Sequence, residues 1–512
     1  MDNNTFETKL ARYIDAGFPI IYINTYEEEK ADKIIASISA GKDIVEWNEI
    51  NGYVDFKTKY PIWSNEETDE DVLDTVPTVP LDTMLEICKK PSALDRTVIL
   101  LKDAIPYFDD HRIVSKIKGL AQMISHGADA VIIIVASTIV IPKELESYIT
   151  ILEMDYLNKD EIKQIIRDFI SDNELEAIKE NLIDEFATAL KGLTEFEINN
   201  LLALAYADDG ELTRSDLKLV FEQKQQVIKK AGILEMIPLK ETVDDIGGLE
   251  NLKEWLVKKS KVYKNIDNAR KFGVDMPKGV LIAGVPGCGK SLNAKAAAQL
   301  FEVPLLRLDM GRLMGKYVGE SEGNLRKAIA LAEAISPCIL WIDELEKGFA
   351  GIGGDSGSSE VITRLLGNFL TWMQEKESPT FVVATANDIT RLPPELLRKG
   401  RFDEIFYVDL PNTKERENIF SIHIKKRRPQ DLASIKISDL VAKSEGFSGA
   451  DIEGVVKEAI ETVYSEGKDR LTTKDILDSI SNTHPLSEIM KDTLTKMSKE
   501  YEKRKFKNAS RW

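Results

Sequence analysis

Three observations predict an α/β fold with parallel sheets in both halves and a helical lid at the end of the second. An apolar run, Val280-Leu281-Ile282-Ala283, empties into Gly284-Val285-Pro286-Gly287-Cys288-Gly289-Lys290-Ser291 and then into a helix of small residues. Apolar strands alternate with helical stretches, the pattern of a parallel sheet with crossover helices. Motifs of the first half also recur, in the same order, in the second.

The 512 residues leave room for about three compact units. An apolar share of 43% and a charged share of 30% are those of an ordinary globular chain. Lys and Arg number 68 against 86 Asp and Glu, a formal charge of −18. That balance disfavours nucleic acid as a partner, because neutralising phosphates takes clustered cations. Cys88, Cys288 and Cys338 lie far apart without C-x-x-C pairing, so neither a disulfide framework nor a zinc site is indicated. The longest apolar run, 128–142, is interrupted by Asp129, Ser137 and Thr138, so no membrane span is expected. The polar, acidic first residues are unlike a signal peptide, which makes the cytoplasm the default compartment.

In the first half, 10–18 reads as a helix and Ile20-Ile21-Tyr22-Ile23 as a buried strand. Asn24-Thr25-Tyr26 turns the chain into a helix rich in Glu27, Glu28, Glu29 and Lys30. Short strands are expected at 47–50 and 52–54, and the acidic stretch 64–74 reads as a solvated loop. A strand at 97–103, a helix at 114–125 and a strand at 130–135 follow. The segment Val98 to Ala104 parallels Cys338 to Glu344, and 131–144 parallels 381–395. Leu190-Lys191-Gly192-Leu193-Thr194 parallels Ser444-Glu445-Gly446-Phe447-Ser448, and 212–217 parallels 471–476. An internal duplication is therefore expected. The copies differ where chemistry would sit. After Ile23 there is no glycine and no Lys-Ser pair, and three glutamates stand where a phosphate needs positive potential. Ala104 is set opposite Glu344, and no arginine lies between Pro142 and Asp155. The first copy, 1–232, is expected not to hydrolyse nucleotide.

In the second half, 284–291 fills G-x-x-x-x-G-K-[ST] in its strand–loop–helix context. Glycines let backbone N–H groups wrap a phosphate, and the helix N-terminus adds partial positive charge. Lys290 is expected to reach the β/γ-phosphates and Ser291 to ligate Mg²⁺. About fifty residues on, the strand 338–342 runs into Asp343 and Glu344. Asp343 suits Mg²⁺, and Glu344 suits a general base that polarises the attacking water. The strand 381–386 ends at Asn387, an amide placed to orient that water. Arg398 and Arg401 flank Gly400, and their planar forks suit the phosphate oxygens of a neighbouring molecule.

Together these motifs resemble the AAA family of the AAA+ ATPases over about 244–483. The phosphate loop, Asp343-Glu344, Asn387 and the Arg398/Arg401 pair match its Walker A, Walker B, first sensor and arginine-finger positions. The resemblance implies a P-loop AAA+ ATPase module, a parallel sheet with a helical lid, preceded by a degenerate AAA-like α/β domain. It implies ATP and Mg²⁺ as cofactors and a homo-oligomeric ring, usually a hexamer, with ATP held between neighbours. It also implies that Asp245, Ile246 and Gly247 line the adenine pocket, with Gly284, Val285, Pro286, Gly287, Cys288, Gly289, Lys290, Ser291 and Leu292 along the phosphates. His423 resembles the lid position near the nucleoside. Gly449 and Ala450 match the start of the lid helix where other AAA+ clades carry a sensing arginine. The expected large subdomain is 244–415 and the lid 416–489.

Lys316, Tyr317 and Val318 resemble the pore loop with which AAA unfoldases grip polypeptide, although Tyr317 also fits a buried loop aromatic. The Gly-rich segment 351–358 reads as a second flexible loop. The expected function is an ATP-driven ring that remodels or threads an unknown protein client. A nucleotide-dependent scaffold is the alternative, or a nucleic-acid-stimulated ATPase, which the net charge disfavours. The basic segment 490–512 reads as a solvated tail, or one that docks a partner.

Overall fold

Strands rich in Val, Ile and Leu on both faces need cover on both sides, and each unit of this chain supplies it. The computed structural model describes residues 6–39, 41–60, 79–154, 156–173, 175, 178–230, 232–239, 241–313, 320–349, 357–398 and 400–511. They form two compact units, Met1–Val220 and Phe221–Trp512. Lys316, Tyr317 and Val318, the Gly-rich segment 351–356 and the acidic stretch 64–74 lie outside the described residues.

The first unit holds β1 (Ile20–Asn24), β2 (Asp43–Asn48), β3 (Gly52–Asp55), β4 (Thr97–Lys102), β5 (Ala130–Ala136) and β6 (Ile149–Glu153). They form one sheet in the order β3-β2-β4-β5-β1-β6, parallel except for β3 against β2. Alternation sorts the strand residues by face. Ile20, Tyr22, Ile99, Leu101, Ile132 and Ile134 enter one core, while Ile21, Ile23, Val98, Leu100, Val131 and Ile133 enter the other. The helix expected at 10–18 runs Phe6–Asp15 and stops short of Gly17, whose φ of 74° no helix continues. Helices Lys159–Asp172, Glu180–Leu190 and Glu195–Asp209 follow the sheet.

The second unit holds β7 (Leu234–Ile237), β8 (Gly279–Gly284), β9 (Leu305–Leu308), β10 (Cys338–Ile342), β11 (Thr380–Ala386), β12 (Glu404–Val408) and β13 (Lys507–Asn508). Their order is β13-β12-β8-β11-β10-β9-β7. Helices Thr413–Arg427, Ile437–Lys443, Gly449–Ser465 and Thr473–Asn482 share a separate core and make the lid. Two expectations fail here. The stretch left between the expected first copy (1–232) and large subdomain (244–415) is more than a link, because Leu234 and Met236 are buried and β7 pairs antiparallel with β9. The basic tail is not simply solvated: its end supplies β13, parallel to β12.

Taken from β7, the second sheet runs β7-β9-β10-β11-β8-β12, slot for slot the order β3-β2-β4-β5-β1-β6. The pairing also corrects the expected alignment. Val131 pairs with Val98, and its counterpart Phe381 pairs with Ile339, not Cys338. The residue opposite Glu344 is therefore Asp103 and not Ala104. Backbone conformation agrees, with φ of 54° at Asp103 and 51° at Glu344. Lys102 then stands opposite Asp343.

Candidate functional site

In an open parallel sheet, ligands bind beyond the carboxyl ends of strands, where the strand order reverses. In the second unit that point is the end of β8. Here a cleft of about 600 Å³ opens between the sheet and the lid. Gly284 closes β8 with φ of 146°, and a Cβ there would come within 2.0 Å of the Val408 carbonyl oxygen, so only glycine permits β12 to approach this closely. The helix Lys290–Phe301 then sets out from the loop. Ala294, Ala296, Ala297 and Ala298 are fully buried, so the helix packs tightly and its N-terminus is fixed at the cleft floor.

Pro286, Gly287, Cys288, Gly289, Lys290, Ser291 and Leu292 all line the cleft. Gly284 and Val285 do not; their carbonyl oxygens lie behind the wall and accept from Lys290 Nζ at 2.9 and 2.7 Å. Burial pulls the Lys290 ammonium down to about 8, which marks it as a cation that gains from an anionic partner. Burial pushes the Cys288 thiol up to about 12, so it is no thiolate nucleophile.

At the carboxyl end of β10, Asp343 Oδ1 accepts from Ser291 Oγ at 3.0 Å and from Thr385 Oγ1 at 2.5 Å. The next residue, Glu344, sits in the left-handed region, which turns its side chain away from the strand. Its Oε1 accepts from Asn387 Nδ2 at 3.0 Å, and its Oε2 pairs with Lys347 at 2.5 Å. Asp343, Glu344 and Asn387 thus meet on one wall of the cleft. A hydroxyl beside a carboxylate is a hard oxygen pair that suits Mg²⁺.

The opposite wall carries Asp245, Ile246, Gly247, Leu249, Ile419, Ile422 and His423. Burial holds the His423 imidazole below its ordinary value, so it faces the cleft neutral at pH 7. Gly449 and Ala450 close the lid side, with the Ala450 N–H donating to the Gly287 carbonyl at 2.9 Å. Arg398 and Arg401 are not among the cleft residues. Arg398 is exposed, and Arg401 Nε is buried without a hydrogen-bond partner among the described residues.

Residues 280–410 match the ATPase family associated with various cellular activities (AAA), and 434–478 match the AAA+ lid domain. Over 486 residues the chain is 39% identical to the uncharacterized AAA domain-containing protein ycf46 of Guillardia theta, spanning 93% of this chain and 90% of that one. The chain belongs to the AAA ATPases. The SpoVK-like AAA ATPase N-terminal domain matches 6–154, and its second domain matches 160–231. The ycf46 protein of Pyropia yezoensis is 37% identical over 488 residues, 94% of each chain. The proteasome-activating nucleotidase of Saccharolobus islandicus is 34% identical over 271 residues, 52% of this chain and 67% of that one. Like its family, this AAA ATPase binds nucleotide and hydrolyses ATP.

Two groups on the walls of the AAA site, and a third that holds a wall residue from behind, escaped the sequence reading. Thr385 donates to Asp343, and its Oγ1 accepts the Glu344 N–H at 3.1 Å; a lone hydroxyl near the end of an apolar strand was the available signal. Glu346 is 5% exposed, accepts the Asn387 N–H at 3.0 Å and is pushed above its ordinary value by burial. Glu415 is 3% exposed and lines the cleft on the same wall as Asp245 and Ile419. Glu346 carries no local sequence signal, because its partner comes from a distant segment; for Glu415 the available signal was the capping box Asn412-x-x-Glu415.

Proposed function

We propose that the cleft of the second unit binds ATP with Mg²⁺ in a homo-oligomeric ring, and that hydrolysis drives remodelling of a protein client. The observation that carries this reading is the Asn387–Glu344 hydrogen bond of 3.0 Å beside the Ser291–Asp343 contact of 3.0 Å. It puts a candidate base, with an amide to orient its water, on the same wall as a hard oxygen pair.

In this reading the backbone of 286–291 and Lys290 hold the phosphates. Ser291 and Asp343 hold Mg²⁺, which neutralises charge on the phosphate oxygens when bound. Glu344 takes the proton of the attacking water, and Asn387 fixes that water's position. Asp245, Ile246, Gly247 and His423 flank the nucleoside, while Gly449 and Ala450 couple the lid to the loop. Arg398 and Arg401 complete the site of the next subunit, which agrees with their standing outside the cleft of their own chain. A protein client is supported by the name of the archaeal relative, a proteasome-activating nucleotidase. Lys316, Tyr317 and Val318 are assigned to gripping it, with Tyr317 supplying a broad contact surface that tolerates many sequences.

The client can be captured on a Glu344→Gln chain and identified by mass spectrometry. Tyr317→Ala is then expected to keep ATP turnover and lose remodelling of that client. Full remodelling by the Tyr317→Ala chain overturns threading and leaves the nucleotide-dependent scaffold.

A further inference from the structure

The C-terminal segment is built into the nucleoside wall. After the helix Lys491–Arg504, Lys505 turns the chain with φ of 56°, and Lys507 and Asn508 pair with Phe406 and Tyr407 of β12. Tyr501 stacks on Tyr407 with ring centroids 3.9 Å apart. Ala509 is fully buried; its N–H donates to the Tyr407 carbonyl at 2.8 Å, and its carbonyl accepts from the Leu252 N–H at 3.2 Å. Asn251 Nδ2 donates to the Asn508 and Ser510 carbonyls at 3.1 and 2.8 Å.

This strand ends on Glu415. Ser510 Oγ donates to Glu415 Oε1 at 2.6 Å, and the Leu249 N–H donates to the same oxygen at 3.0 Å. The Asn412 N–H donates to Glu415 Oε2 at 3.0 Å. Three separate segments therefore meet on one buried carboxylate: the strap 246–249, the first lid helix and the C-terminal strand. The strap is pressed close, since a Cβ on Gly248 would lie 2.4 Å from Glu415 Oε1 and one on Gly247 would lie 2.5 Å from Ile419 Cγ1. Gly247, Leu249, Ile419 and Glu415 all line the cleft.

We propose that Ser510 and Glu415 are a positioning pair through which the C-terminal strand sets the gap between the strap and the first lid helix, and with it the affinity for ATP. A buried carboxylate keeps its place only while its oxygens are hydrogen-bonded. Without the Ser510 hydroxyl, Oε1 retains only the Leu249 N–H, so the carboxylate that holds the strap against the lid helix is less firmly fixed. The pair touches the nucleoside wall and none of Ser291, Asp343, Glu344 or Asn387, so its loss acts on binding rather than on the chemical step. The inference rests on reading this cleft as the nucleotide pocket.

The test uses the full chain in two backgrounds. With Glu344→Gln present, equilibrium binding of a fluorescent N-methylanthraniloyl-ATP is measured; with Glu344 intact, KM and kcat are measured. Ser510→Ala is expected to weaken binding about five- to thirtyfold, to raise KM in step and to leave kcat within about twofold. Asn251→Ala, which frees the strand carbonyls without touching Glu415, moves affinity in the same direction and stands in if Ser510→Ala fails to fold. Combining Ser510→Ala with Glu415→Ala adds nothing to Glu415→Ala alone. Unchanged affinity in folded Ser510→Ala, or in Asn251→Ala as its stand-in, overturns the positioning pair. A parent chain that does not bind the analogue overturns the cleft reading instead.

Discussion

The turns that leave β1 and β8 start from the same slot of two matching sheets and come to different ends. Five residues, 285–289, separate β8 from its helix, and three, 25–27, separate β1 from the helix Glu28–Ile38. The longer turn curls backbone around the mouth of a cleft. The shorter one puts Glu27, 3% exposed, into the interior. Each lid-side helix is then fastened to its turn by its first residues, in different ways. The Ala450 N–H donates to a backbone carbonyl, that of Gly287, whereas the Glu195 N–H donates to Glu27 Oε2 at 3.0 Å. The first unit thus carries its own carboxyl group at a helix N-terminus, the kind of place where a phosphate binds. Beside it, Lys102 replaces Asp343 and pairs with Asp32 at 2.7 Å. One fold can keep its sheet order and closure while exchanging a ligand for a side chain.

The largest expected effect breaks the comparison at the far side of the central strand. Between β11 and β12 the second unit has Arg398 and Arg401, while no arginine lies between β5 and β6. Arg401→Ala is expected to bind ATP but to lower turnover by about 10³–10⁵-fold, the range for arginine fingers. Mixing that inactive chain with inactive Lys290→Ala is expected to recover part of the activity, because intact halves of the site meet between subunits. Activity in the mixture no higher than in its parts would sink the shared site.

A matched pair of substitutions sharpens the comparison next. Glu344→Gln is expected to lower kcat about 10²–10⁴-fold, the usual worth of a general base. Asp103→Asn changes the same slot in the first sheet, and asparagine tolerates its left-handed backbone. It is expected to leave kcat within about twofold. Steady-state turnover of both chains decides the matter: a comparable loss in Asp103→Asn would make the first unit a partner in the chemistry.

Much of this was legible in residues that act locally. The phosphate loop announces itself because glycines, lysine and serine must follow one another in one turn, and strands show because their apolar runs are continuous. What stayed hidden depends on distant pairing. The alignment of Asp103 with Glu344 was missed by one residue because Val98–Leu101 and Ile339–Ile342 are both simply apolar; the strand pairing decides between registers. β13 was missed because two residues, Lys507 and Asn508, have no strand-like pattern, and their pairing is held by Ala509, Asn251 and the Tyr501–Tyr407 stack. Glu27 was seen only as one of three glutamates repelling phosphate. Its burial comes from the helix Glu195–Asp209, far along the chain.

That burial gives the smallest predicted effect and the sharpest test of what replaced the nucleotide. Burial pushes the Glu27 carboxyl up to about 7, against an ordinary value of 4.5. The sign follows from which state holds the proton. Near pH 4 folded and unfolded chains are both protonated, and Glu27 costs nothing. Between pH 4.5 and 7 the unfolded chain releases its proton while the folded one keeps it, so stability falls as pH rises. Above pH 7 the loss is complete and constant. Glu27→Gln keeps an acceptor for the Glu195 N–H but cannot ionise, so the first unit should gain on the order of 3 kcal/mol at pH 8 and little near pH 4.5. Amide exchange of the helix Glu195–Asp209 under denaturant reports this unit separately from the helix Gly449–Ser465, whose exchange should not change. Parent stability that instead rises with pH relative to the Glu27→Gln chain would mean that the buried carboxylate is stabilised as an anion, as a bound phosphate would be. In that case the first unit has preserved the electrostatics of an occupied site and lost only its ligand; a profile that flattens in Glu27→Gln means that it has given up both.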